Sequence, residues 1–145
     1  MEQHRKIGLA IRILSHQIGR KIEYQISTNI SNDVTGLQGH VLGFIREKSK
    51  AGDVFQRDVE NEFDIRRSTA TGMLKLMEKN GLIKREAVSY DARLKRIVLT
   101  DKALGLHNQI ISVLKSVENQ LAAHLTEDEI NTFFSVMEKI SDNIK

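Results

Sequence analysis

The stretch Asp53–Thr100, DVFQRDVENEFDIRRSTATGMLKLMEKNGLIKREAVSYDARLKRIVLT, decides how the rest of the chain is read. A short, highly charged helix is expected from Val54 to Phe63, its apolar positions being Val54, Phe55, Val59 and Phe63, with Asp53 placed to cap it. After a turn at Asp64-Ile65, a longer helix runs to Asn80 and turns Ala70, Met73, Leu74 and Met77 inward. Asn80 and Gly81 both tolerate the left-handed conformation that ends helices. Two short strands follow, Leu82–Glu86 and Arg96–Leu99, joined through a loop from Ala87 to Lys95. A helix, a turn, a second helix and a hairpin in this order form a winged helix-turn-helix.

Charge is concentrated in the same stretch. Between Arg66 and Arg96 stand nine basic residues, Arg66, Arg67, Lys75, Lys79, Lys84, Arg85, Arg93, Lys95 and Arg96, against the acids Glu78, Glu86 and Asp91, a net +6. The whole chain has 22 basic and 19 acidic residues, so 13 basic and 16 acidic residues lie elsewhere and carry −3. An overall charge of +3 therefore conceals a polarised molecule, one part of which suits a polyanionic partner.

On a helical wheel, burying Ala70, Met73, Leu74 and Met77 turns Ser68, Gly72, Lys75 and Lys79 outward, with Thr69 and Thr71 on the flanks. Small hydroxylated side chains near a helix N-terminus reach base edges, while Lys75, Lys79 and the helix dipole favour phosphates. Taken alone, such a face is equally well explained as a solvated one. The hairpin shifts the balance, because Asp91 can orient a neighbouring Arg while Arg93 projects toward a narrow, negative groove.

Outside the central stretch the pattern is helical. Ile7, Ile11, Leu14, Ile18, Ile22 and Ile26 recur at three- and four-residue steps, one apolar stripe opposite Arg12, His16 and Arg20. Asn29–Asp33 reads as a break, and Thr35 opens a second helix with Leu37, Val41, Leu42, Phe44 and Ile45 on its apolar side. Thr100 caps a fifth helix carrying Leu104, Ile110, Ile111, Leu114, Val117 and Leu121. Thr126 and Glu129 form a capping box before Ile130, Phe133, Phe134, Met137 and Ile140. The first helix is apolar over some five turns, more than a small core can cover, and an interface with a second copy is the simplest outlet. The expected organisation is a helical dimerisation region, residues 1–34 and 101–145, around a DNA-binding lobe at 35–100. The fold class is mainly α with a small β-hairpin wing, in an obligate-type helical dimer.

At 145 residues the chain has the size of one ordinary domain, and 40% hydrophobic with 28% charged residues suits a folded protein rather than a disordered one. It contains no Cys, which removes disulfides and thiolate metal sites, and no Pro, which favours uninterrupted helices. No apolar run approaches the roughly 18 residues of a membrane span, and Met1–Ile11 lacks a signal-peptide core, so a cytoplasmic location without a membrane partner is expected. There is no Gly-rich phosphate loop, nucleophile elbow or His-Glu-x-x-His motif, and no enzymatic activity is expected.

This combination resembles the MarR family of bacterial winged-helix regulators over nearly the whole chain. The matching residues are Thr35-Gly-Leu-Gln38, Ser68-Thr-Ala-Thr71, Met77-Glu-Lys-Asn-Gly-Leu-Ile83, Asp91-Ala-Arg93 and Val98-Leu-Thr100. The resemblance implies a homodimer built by the first, fifth and sixth helices, with two lobes reading a roughly palindromic site. It also implies that Ser68, Thr69 and Thr71 face the major groove of double-stranded DNA and that Arg93 enters the minor groove. Repression of a promoter rests on the family's habit alone. Two departures stand out. Gly72 occupies a place where the family often has Arg, and Arg66 stands where a Ser N-cap is common, giving up roughly 1 kcal/mol of capping. Arg66 and Arg67 are expected to contact phosphates.

The DNA-binding residues expected are thus Arg66, Arg67, Ser68, Thr69, Thr71, Lys75 and Lys79 on the recognition helix and Lys84, Arg85, Asp91, Arg93 and Lys95 on the wing. No cofactor is expected to be required. Arg12, His16 and Arg20 form a stripe that could receive a small aromatic or anionic effector, of the kind many family members bind, though a solvated helix face explains it as well. Glu23, His40 and His107 look like ligands of the zinc-sensing branch, with His16 nearby. The further His expected one turn after His107 is replaced by Ile111, so no metal site is assigned. The competing readings are a metal-responsive regulator and a winged-helix module for protein contacts; the latter would favour exposed aromatics over arginines, and the wing offers only Tyr90.

Overall fold

The computed structural model describes residues 5–31 and 33–145. Among them are six helices, α1 (Ile7–Asn29), α2 (Gly36–Lys48), α3 (Gln56–Phe63), α4 (Arg67–Lys79), α5 (Asp101–Ala122) and α6 (Glu127–Asp142), and two strands, β1 (Ile83–Val88) and β2 (Asp91–Leu99). The architecture is the mainly helical one with a hairpin wing that the sequence predicts. Asn32, inside the expected break, and residues 1–4 lie outside the described residues. The chain divides into two compact units, one ending at Leu114 and the other Lys115–Lys145, with α5 running through the boundary.

In the first unit, α2 starts where a local signal places it. The Thr35 hydroxyl accepts from the Gln38 amide, and the Gln38 side chain accepts in return from the Thr35 amide, both at 3.2 Å. Val41, Leu42 and Ile45 of α2 are buried with Ile22 and Ile26 of α1 and Ile110 of α5. Two glycines allow α2 this approach: a Cβ at Gly36 would lie 2.9 Å from an Ile22 methyl, and one at Gly39 2.9 Å from an Ile110 methyl. Leu37, expected on the apolar side of α2, is instead 42% exposed, because it sits a quarter-turn away from the Val41–Ile45 stripe. Leu104 and Leu121, expected on the apolar side of α5, are likewise exposed, whereas Ile110 and Val117 are buried.

The third helix begins at Gln56, two residues later than expected, and Asp53 does not cap it. Instead the Asp58 carboxylate accepts from the Phe55 amide at 2.8 Å. The cause is tertiary: the Val54 carbonyl accepts from the Ile97 amide at 2.7 Å, which holds the backbone alongside β2 and delays the helix. Asp64 then takes a left-handed conformation, φ 48°, and α4 follows with Ala70, Leu74 and Met77 buried and Met73 partly so. Gly81, φ 74°, ends it as expected. The Thr100 hydroxyl donates to the Gly81 carbonyl and accepts from the Ala103 amide, so it fastens the start of α5 to the end of α4.

The hairpin is longer than the sequence suggests. Both strands extend into the expected Ala87–Lys95 loop, leaving Ser89-Tyr90 as the turn. Pairing runs antiparallel from Ile83 opposite Leu99 to Ala87 opposite Lys95, then jumps so that Val88 meets Asp91. That irregularity leaves Ala92, Arg93 and Leu94 without pairing partners and bends the tip of the wing.

The apolar stripe of α1 divides in two. Ile22 and Ile26 are fully packed, while Ile7, Ile11 and Leu14 stay exposed. In the second unit, α6 carries the expected capping box, with the Glu129 amide donating to the Thr126 hydroxyl at 3.1 Å, and its first turn is acidic as the helix dipole favours. No residue of α6 is buried; Phe133 and Phe134 stack edge to face at 5.3 Å yet are 50% and 65% exposed. No helix of the described residues is long and apolar enough to cross a membrane.

Candidate nucleic-acid interface

The recognition surface follows from how α4 is buried. With Ala70, Leu74 and Met77 packed below it, Ser68, Thr69, Gly72, Lys75 and Lys79 are all exposed. Arg66 is the N-cap and provides no side-chain capping bond, so the amides of the first turn stay available to an anion. A Cβ at Gly72 would meet nothing within 4 Å, which means that packing does not require glycine there.

The wing contains two kinds of arginine. Arg93 is held by Asp91: its backbone amide donates to the carboxylate at 2.9 Å, and its Nε and Nη2 donate to the two oxygens at 3.2 Å. These bonds from the Arg93 side chain, then its backbone, lower the Asp91 pKa below the ordinary carboxylate value. The Arg93 side chain nonetheless remains 90% exposed, an oriented cation at the wing tip. Arg96 behaves differently. It pairs with Glu86 across the hairpin at 2.8 Å and lies 3.5 Å from Asp53, whose carboxylate also accepts from the Tyr90 hydroxyl at 3.4 Å. Hydrogen bonding and attraction to Glu86 raise the Arg96 pKa, and desolvation first, then Asp53, raises that of Tyr90. Arg96 thus ties the hairpin to the segment before α3, and is not a free cation for a ligand.

Alternation along the strands sorts the other wing cations. Arg85 and Lys95 share one face of the hairpin, while Lys84 lies on the other with Glu86 and Arg96. On the first face, α3, α4 and the wing enclose a cavity of about 530 Å³, lined among others by Arg57, Glu60, Arg67, Thr71, Arg85, Arg93 and Lys95. The structure therefore gathers Arg67, Thr71, Arg85, Arg93 and Lys95 around one space and leaves Lys84 outside it. Gln56, Arg57 and Glu60 also belong here, although nothing in the sequence separates them from the ordinary polar face of a charged helix. Gln56 braces the start of α4, since its Nε2 donates to the Thr71 hydroxyl at 2.9 Å and to the Arg67 carbonyl at 3.4 Å. The Thr71 oxygen therefore serves as an acceptor within the fold and keeps its proton for an outside acceptor.

Residues 32–94 match the profile of the MarR family. That match covers most of the winged-helix lobe, which is therefore similar to the MarR family. The fold extends that likeness over nearly the whole chain. The transcription regulator MarR from Oenococcus oeni is similar at 29% identity and a TM-score of 0.76, covering 94% of this chain and 99% of its own. S. aureus MepR, solved as a complex with DNA, shares the fold at 23% identity and a TM-score of 0.85, with 97% of each chain covered. A MarR mutant from E. coli, solved with operator DNA, does so at 21% identity and a TM-score of 0.78, with 92% of each chain covered.

The expected effector stripe Arg12, His16 and Arg20 is exposed on α1, and none of the three lines the cavity described above. The zinc candidates do not come together either. Glu23 and His40 are exposed, and no group of three His, Cys, Asp or Glu residues suited to a metal exists among the described residues. His107 is half-buried, and desolvation, then the charges of Arg46 and Lys50, lowers its pKa. The same two cations repel a metal ion as they repel the proton, so these residues do not fit zinc.

Proposed function

We propose that this chain is a transcriptional regulator that binds double-stranded DNA as a homodimer, each winged-helix lobe taking one half of a pseudo-palindromic promoter site. Ser68, Thr69 and Thr71 read base edges in the major groove, Arg66, Arg67, Lys75 and Lys79 hold phosphates, and Arg93 enters the minor groove, oriented by Asp91. Lys84, Arg85 and Lys95 add positive charge along the wing. The lobe, residues 35–100, is carried by a dimerisation region formed from 1–34 and 101–145. It represses by occupying the promoter, and a small aromatic or anionic ligand releases it.

The observation that carries this reading is Arg93, 90% exposed at the wing tip yet fixed by Asp91 beside the exposed face of α4. A solvated surface gains nothing from holding an arginine in place, whereas a groove reader does. Fluorescence anisotropy with the duplex upstream of its own gene and a scrambled duplex, at two salt concentrations, tests it. Tight binding to the first and weak, salt-sensitive binding to the second is the expected result. Equal weak binding to both would refute sequence-specific regulation.

A further inference from the structure

Arg85 lies in the middle of β1, where the hairpin lines the cavity shared with α3 and α4. Its Nε and Nη2 are shielded from solvent and have no hydrogen-bond partner among the described residues. A guanidinium is charged at every physiological pH, and shielded charged donors without an acceptor are costly. Such a group calls for an explanation, and an acceptor that arrives from outside supplies one. The other wing arginines are committed, Arg93 to Asp91 and Arg96 to Glu86 and Asp53. Glu60, the one carboxylate among the described residues that line the cavity, does not meet the two Arg85 nitrogens.

Nε and Nη2 form the side edge of the guanidinium, two parallel N–H bonds whose spacing fits two oxygens of one phosphate or carboxylate. The cavity that Arg85 lines is also lined by Arg57, Arg67, Arg93 and Lys95, drawn from α3, α4 and the wing. We infer that Arg85, by turning its shielded Nε–Nη2 edge into the cavity, anchors a bidentate oxyanion site at the junction of recognition helix and wing, and that its occupant is one backbone phosphate of bound DNA. The assignment of DNA as the source rests on the proposed function. The same chemistry would accept a free oxyanion such as inorganic phosphate. DNA is favoured because Arg67 comes from α4 and Arg85, Arg93 and Lys95 from the wing, the two elements that the proposed function sets in neighbouring grooves, so a strand passing from one to the other crosses this cavity. Occupancy ties wing to recognition helix through a shared ligand, which Lys84 on the opposite face cannot do.

Two arms separate the sources. In the first, duplexes carrying a single neutral methylphosphonate at successive positions are titrated with wild type, Arg85→Gln and Arg85→Lys, with thermal melting as the check on folding. Wild type should lose about tenfold or more in affinity at one phosphate per half-site, as expected for a charge-assisted bidentate contact. Arg85→Gln should bind the unmodified duplex correspondingly less well, show no further loss at that phosphate, and have a log–log salt slope reduced by about 0.9 per lobe. Arg85→Lys should regain part of the affinity, since it restores charge without the fork. In the second arm, the Arg85 Nε–H resonance of the free protein is followed by NMR on adding inorganic phosphate. A saturable shift, absent with chloride at equal ionic strength, identifies the oxyanion site even if no duplex binds. If duplexes bind but the Arg85→Gln and wild-type scans respond alike at every phosphate, DNA is not the occupant. If the resonance also fails to shift, there is no oxyanion site at Arg85.

Discussion

The winged-helix lobe and the long terminal helices solve the burial problem differently. In the lobe, Leu74, Met77, Leu82 and Ile83 are buried almost without remainder, while Ser68, Thr69, Lys75 and Lys79 of α4 are exposed. The first half of α1 and all of α6 expose Ile7, Ile11, Leu14, Phe133, Phe134 and Met137. The lobe buries its apolar side chains within one chain, with help from Ile22, Ile26 and Ile110, whereas the outer parts of the terminal helices leave theirs exposed. A monomer would carry that apolar surface as a liability, and a second copy removes it by symmetry.

The contrast is broken most forcefully by charging the terminal helices. Ile11→Glu combined with Phe134→Glu should convert a dimer into a monomer by light scattering, and weaken operator binding by about a hundredfold or more through lost avidity. A variant that remained dimeric would place the interface elsewhere. Within the lobe, Leu74→Ala should cost about 2–5 kcal/mol in chemical denaturation, because the site is closed on all sides. A loss below roughly 1 kcal/mol would mean that the lobe core is looser than its burial suggests.

Arg93→Ala sharpens the contrast, since it removes function and spares the fold. Operator affinity should fall by about 1–3 kcal/mol, with melting temperature and dimer mass unchanged; unaltered affinity would remove the wing tip from the account. The smallest effect concerns His107. Its folded pKa lies below the ordinary histidine value, so the unfolded chain binds the proton more readily. Its contribution to stability is then complete above about pH 6.5 and declines as pH falls toward the folded value. His107→Gln should therefore flatten the fall in melting temperature between about pH 7 and pH 5. An unchanged slope would assign the acid sensitivity to other groups.

What could be read from sequence was local. Thr35, Thr126 and Asn80-Gly81 mark helix ends through bonds or torsions within a few residues, and each does so in the structure. What could not be read was tertiary. Asp53 has the form of a helix cap, but Val54 is held to β2 and Asp53 faces Arg96 and Tyr90 instead. The wing turn Ser89-Tyr90 lacks the Asn-Gly or Asp-Gly pair that announces a tight hairpin, so the strands look shorter in sequence than they are. Arg96 counts as one more basic residue until its pairing with Glu86 removes it from the ligand-facing set. Gln56 and Arg57 were hidden in a charged helix, and only the third dimension sets them beside Thr71 and Arg85.

In the proposed function, two copies of the lobe, joined through the terminal helices, share one DNA site. Sedimentation velocity of a labelled duplex spanning a single pseudo-palindromic site, titrated with protein, tests it most directly. The first complex formed should contain two chains per duplex, even when duplex is in excess. A stable complex of one chain per duplex under those conditions would contradict it.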